Sequence, residues 1–143
     1  MSGSYSWLHA DELQISTFQI MAPHLVGKTV LITGSTDSRS LGWTAAKLLA
    51  GGNYGFSHII LSGRKEDAGR KAAQELQRSL PQDSPIMISV ITLDITDKTS
   101  IERAAALISS PLGPLNSYGG RLDVLVNNAG VAVPPNRIDA SVG

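Results

Sequence analysis

Residues 33–42 read TGSTDSRSLG and join a short apolar run to a segment with helical spacing. If the run is a strand and the segment a helix, the turn presents free backbone N–H groups and the positive end of a helix dipole. That combination favours a phosphate or pyrophosphate. Gly34 allows the tight turn and Gly42 a close approach of the helix to the ligand. Ser35, Thr36, Ser38 and Ser40 add hydroxyl donors, and Leu41 completes the candidate set. The same composition also describes an ordinary turn, because Ser and Gly gather between strands and helices for conformational reasons alone. A second candidate is Arg64, in LSGRKED. In a sheet that binds dinucleotides, the tip of the second strand meets the adenosine ribose. There an acid receives the 2′-OH and an Arg accommodates a 2′-phosphate. No acid sits at this tip, and Arg39 would close on the same phosphate from the other side. Read singly, either Arg is an ordinary solvated cation. His9, His24 and His58 are scattered and no carboxylates share metal-ligand spacing, so no metal site is expected. Trp43 and Tyr118 read as packing or surface aromatics.

These residues need a frame to hold them. KTVLIT, starting at Lys28, is β-branched and nearly all apolar, the pattern of a strand buried on both faces. LGWTAAKLLAGG then sets Leu41, Ala45, Leu48 and Leu49 at helical spacing and stops at Gly51 and Gly52. SHIILSG is a second buried strand. KEDAGRKAAQELQRSL follows as an amphipathic helix, with Ala68, Ala72, Leu76 and Leu80 on one face, and ends at Pro81. PIMISVITLDIT is the third strand. DKTSIERAAALISS is a third helix, with Asp97 as N-cap and an apolar stripe of Ile101, Ala105 and Ile108. LDVLVNNAG is the fourth strand, after a loop rich in Pro and Gly. Parallel neighbours need connections of a dozen or more residues, so this alternation predicts right-handed crossovers and a parallel sheet.

A chain of 143 residues is one domain in size. With 42% hydrophobic and 17% charged residues it can offset ordering entropy by burial, which excludes wholesale disorder. Twelve basic residues balance twelve acidic ones, so no net field draws a nucleic acid or an anionic membrane, and neither partner is expected. The absence of Cys removes disulfides, zinc thiolate sites and Cys nucleophiles. No apolar run approaches the roughly 20 residues of a spanning helix, and the N-terminus lacks the form of a secretory signal, which makes a cytoplasmic protein the expectation. Residues 1–25 lie outside the alternation as an extension without assigned role. Residues 26–143 form an α/β unit, a Rossmann-type parallel sheet with flanking helices, truncated after about four strands where six or more are usual.

Thr33-Gly34, Ser62-Gly63-Arg64, Leu93-Asp94-Ile95-Thr96 and the NNAG formed by Asn127, Asn128, Ala129 and Gly130 together resemble the N-terminal half of a short-chain dehydrogenase/reductase, in that family's order and spacing. The resemblance covers about three quarters of the chain. It implies a nicotinamide dinucleotide as cofactor, with Asp94 and Ile95 against the adenine and Asn128, Ala129 and Gly130 lining the cofactor beside the central strand. Asp94 also reads as a loop or helix-start carboxylate, and Asn127 as a residue that ties neighbouring strands through its amide. NADP(H) is favoured over NAD(H) on the strength of Arg64 and Arg39. The glycine-rich turn departs from the usual TGxxxGxG, because Ser40 stands where the middle glycine is expected. That form is similar to the turn of the divergent enoyl reductase branch, whereas NNAG and SGR are not. The family transfers hydride between the nicotinamide and a carbonyl or alcohol carbon, using a Ser and a Tyr with a Lys four residues later. Here the residues four after Tyr5, Tyr54 and Tyr118 are His9, His58 and Leu122, so no YxxxK exists and no catalytic residue is nominated. The expectation is a binding half without turnover of its own. The alternative is a non-catalytic nucleotide-binding or interaction module that pairs, with itself or a partner chain, through the edge of the fourth strand.

Overall fold

The computed structural model describes residues 27–52, 54–110 and 121–130. The N-terminal extension, Tyr118 and the loop before the fourth strand lie outside them. The elements run β1 (Lys28–Thr33), α1 (Leu41–Gly51), β2 (Phe56–Gly63), α2 (Glu66–Ser79), β3 (Met87–Thr92), α3 (Lys98–Ser109) and β4 (Val124–Val126). All strand pairs are parallel, in the order β3-β2-β1-β4. The expected α/β architecture is therefore present.

Alternation along the central strands divides the core into two layers. Val30, Ile32, Ile59 and Leu61 face α1 and α2, meeting Ala46, Ala72 and Leu76. Leu31, Ile60 and Ile91 face the opposite side and meet Ala104 of α3. Because helices cover both faces, β1 and β2 carry almost unbroken apolar runs. Trp43 fastens α1 to α2 by donating its indole N–H to the Ala72 carbonyl at 3.0 Å.

Two helices turn a different face to the sheet than their apolar spacing predicts. In α1 the buried residues are Gly42, Ala46 and Ala50, while Leu41 and Leu48 are 82% and 63% exposed. The helix is apolar on several sides, so spacing does not single out one face, and the small residues admit the closest approach to the strands. In α3 the buried residue is Ala104, with Ile108 partly buried and Ile101 exposed. The expected face of α2 is correct in Ala72, Leu76 and Leu80, and Gly69 joins it. Its added Cβ would collide with Val90 of β3. The third and fourth strands are also shorter than their apolar patterns, because the chain leaves the sheet after Thr92 and Val126.

Two polar anchors hold the far end of the sheet. Asp123 accepts the Thr29 N–H at 2.9 Å and returns its own N–H to the Thr29 carbonyl at 3.1 Å. Arg121 and Lys28 pair with the same carboxylate at 2.8 and 3.5 Å. Burial pushes this carboxyl up, but the Thr29 bond and the two cations outweigh it and leave the pKa below the ordinary value. His58 is fully buried in β2, with Nε2 2.8 Å from the Ser89 hydroxyl of β3. Burial lowers its pKa from 6.5 to about 4, so it is neutral in the fold.

Candidate functional site

At the carboxyl ends of the strands, four segments converge around a cavity of about 480 Å³. The β1–α1 turn contributes Gly34, Thr36, Asp37, Ser40 and Leu41, and the tip of β2 contributes Gly63 and Arg64. Leu93, Asp94, Ile95 and Thr96 follow β3, and Asn128, Ala129 and Gly130 follow β4. In open α/β sheets this is where ligands bind, at the point where strand order reverses, here between β1 and β4. A larger groove of about 580 Å³ follows the outer edge of β3, beside Arg70 and Arg103. It reaches Thr92 at the end of β3 but shares no lining residue with the glycine turn.

Most of the sequence candidates line the cavity; Ser35, Ser38, Arg39 and Gly42 do not. Ser35 is fully buried, donating its hydroxyl to the Ile32 carbonyl at 2.7 Å and accepting the Ser62 N–H at 3.1 Å. Its expected role as a donor to a ligand is corrected to one of joining β1 to β2. Gly42 is likewise buried. A Cβ there would lie 2.5 Å from Asn128 Nδ2 and 2.7 Å from the Gly34 carbonyl, so the glycine brings the helix against the turn and not against a ligand. Arg39 pairs with Asp37, Nε to Oδ1 at 3.2 Å, and turns toward α2.

The turn itself is tightly tied. Gly34 has φ +66°, and a Cβ on it would sit 2.8 Å from Ala129 Cα. Only glycine satisfies both the conformation and the contact. Asn128 donates its side-chain amide to the Thr33 and Gly34 carbonyls at 2.9 and 3.2 Å. The Thr33 hydroxyl receives the N–H groups of Asn128 and Ala129 at 2.9 and 3.0 Å. The strand-tying amide expected of Asn127 therefore belongs to Asn128, whereas Asn127 is exposed. The two are neighbours, and one residue of phase at a strand end decides which points inward.

Ser40 caps α1. Its hydroxyl accepts the Trp43 N–H at 3.2 Å and lies 3.4 Å from the Gly34 carbonyl, to which it donates. That hydroxyl is not free for a ligand. Asp37 takes the Arg39 N–H at 2.9 Å, and the Ser40 N–H goes to the Asp37 carbonyl at 2.8 Å. Among the described residues no acceptor meets the N–H groups of Leu41 and Gly42, in the first turn of α1. The nest is thus partly closed by its own side chains and keeps those two donors at the positive end of the helix.

The charged side chains of the cavity wall are Asp37, Asp94 and Arg64. The Asp94 carboxylate accepts the Thr96 hydroxyl at 2.6 Å and the Thr96 N–H at 2.9 Å. Those bonds, the hydroxyl first, and the nearby Arg64 charge hold its pKa below the ordinary value. Asp94 therefore fulfils the loop-carboxylate reading while also lining the cavity. The hydrogen bond from the Arg39 guanidinium lowers Asp37 in the same way. Asp37, Gly63, Leu93 and Thr96 are lining residues outside the site candidates. An Asp two residues before a residue whose N–H it accepts is the signature of an Asx turn, and it was readable at Asp37.

Beyond this geometry, residues 28–142 match the family model described as short chain dehydrogenase. The chain is 36% identical over 111 residues to the short-chain dehydrogenase/reductase tropE of Talaromyces stipitatus, covering 78% of this chain and 38% of that protein. It superposes with a TM-score of 0.61 and 24% identity on L-sorbose reductase from Gluconobacter frateurii, solved with NADPH and L-sorbose, over 82% of this chain and 39% of that one. The N-domain of a bacterial malonyl-CoA reductase, solved with NADP, is 28% identical with a TM-score of 0.58, over 76% of this chain and 17% of that one. The chain spans less than half the length of these relatives.

Proposed function

Since the chain belongs to the short-chain dehydrogenase family, we propose that residues 26–143 are the NADP(H)-binding portion of an oxidoreductase of that family. The observation that carries this reading is the strand-tip cavity, lined by Leu41, whose helix N-terminal N–H has no acceptor among the described residues, and by Arg64. The residues fit a dinucleotide. Gly34 and the Leu41 N–H would receive the pyrophosphate, and Arg64 the 2′-phosphate. Ile95, half-exposed beside Asp94, offers an apolar surface for the adenine. Asn128 holds the turn shut against β4 and so fixes where Ala129 and Gly130 meet the cofactor.

Bound there, the cofactor supplies a hydride to a carbonyl carbon, or takes one from an alcohol carbon, of a substrate whose pocket these residues do not define. The chain's own contribution is binding and orientation, and no residue of it is assigned to move the substrate's proton. Support for the phosphorylated cofactor comes from Arg64 and from the absence of an acid at the β2 tip. Calorimetric titration of the chain with NADPH tests the reading. Saturable binding at one site is expected, and a flat titration at millimolar cofactor overturns it.

A second reading, an interaction module that pairs through β4, has one observation in its favour. Among the described residues β4 is bonded to β1 alone, and its Leu125 is 52% exposed. A dilution series on a sizing column separates the two readings, since edge pairing requires a shift in mobility with concentration.

A further inference from the structure

We propose that Asp37 tunes cofactor preference: by gripping Arg39 it withholds that guanidinium from the 2′-phosphate of a bound dinucleotide and blunts the selection of the phosphorylated form. The inference rests on the dinucleotide reading above and assigns a specificity-determining residue to the same site.

The grip is two-pronged. Arg39 Nε and Nη2 each donate to one carboxylate oxygen of Asp37 at 3.2 Å, the fork geometry that an arginine also uses on a phosphate. Oδ1 in addition accepts the Arg39 N–H at 2.9 Å, which fixes the carboxylate where the guanidinium folds back on it. Asp37 and Thr36 form the wall between two hollows. One is the strand-tip cavity, which Arg64 lines; the other, of about 310 Å³, opens toward Lys71 of α2, and Arg39 lines only that one. The two arginines are thus kept on opposite sides of Asp37. For Arg39 to join Arg64 on a phosphate it must give up a carboxylate that already fills its fork, so its net gain is the difference between two similar pairings. The Arg39 side chain is 88% exposed, and an ion pair in that setting is weak. Asp37 therefore tunes the preference and does not block it.

Asn at position 37 keeps a side-chain carbonyl for the Arg39 N–H, so the turn survives, and removes the charge that grips the guanidinium. The test titrates the full chain with NADPH and NADH as wild type, Asp37→Asn, Arg39→Ala and the double variant. Asp37→Asn is expected to raise the affinity ratio of NADPH over NADH by about two- to fivefold, and the rise should vanish when Arg39 is also Ala. An unchanged ratio overturns the proposal. So does an equal change for both dinucleotides, or a rise that persists without the Arg39 side chain, which would place the effect in the charge of Asp37 itself. A wild-type chain that binds neither dinucleotide overturns the nucleotide reading, and this inference with it.

Discussion

Two glycines of the β1–α1 turn do different work, and each has its own measurable consequence. Gly34 answers to conformation and contact together. Gly34→Ala forces a left-handed backbone on a residue with a Cβ and presses that Cβ on Ala129, so a loss of about 1–3 kcal/mol is expected in denaturant unfolding. Gly42 has no unusual φ, and its constraint is space alone. Gly42→Ala should cost about 1–3 kcal/mol as well, and it should weaken the two amide bonds of Asn128, visible as a shift of the Asn128 side-chain resonances. At this scale the sequence was partly legible. Glycine and hydroxyl types marked the turn, but they did not reveal that Ser35 spends its hydroxyl on the protein, because its Ser62 partner on β2 is set by strand register and not by local spacing; the N-cap bond of Ser40 is local, three residues along the chain.

Strand and helix order was the most legible level, since β1 and β2 are buried on both faces and carry almost unbroken apolar runs, while α2 has a polar side that defines its apolar one. The faces of α1 and α3 were not legible, because apolar residues surround much of each helix and close packing chose the alanines. Leu48→Gln should therefore change stability by no more than about 0.5 kcal/mol, whereas Ala46→Leu should cost about 1–3 kcal/mol by overpacking; thermal melts of the pair decide which face is inside. Between elements, the buried His58 makes the β2–β3 contact sensitive to acid. Its folded pKa, about 4, lies below the unfolded 6.5, so the unfolded chain binds the extra proton between those values. The stability it protects is intact above pH 6.5 and is lost as pH falls toward 4, by about 3 kcal/mol over the interval. Urea unfolding across that range should show the slope, and His58→Gln should flatten it. Asp123→Ala strands the buried Thr29 N–H and two cations, and should cost about 1–3 kcal/mol.

At the scale of the molecule, the fold places the C-terminal ends of four parallel strands around one hollow, and the residues that reach it come from segments far apart in the chain, such as Gly34 and Gly130. That convergence is what ties the β1–α1 turn, an arginine and residues 128–130 into one site, and it is why the order of motifs along the chain carries information about the site. The proposed function turns on Arg64 reading a 2′-phosphate in this hollow. Titration of wild type and Arg64→Ala with NADPH and NADH tests it. A loss of roughly tenfold or more in NADPH affinity is expected, the scale of a hydrogen bond to a charged group, with NADH affinity unchanged. Equal losses for both dinucleotides, or no loss for either, would contradict it.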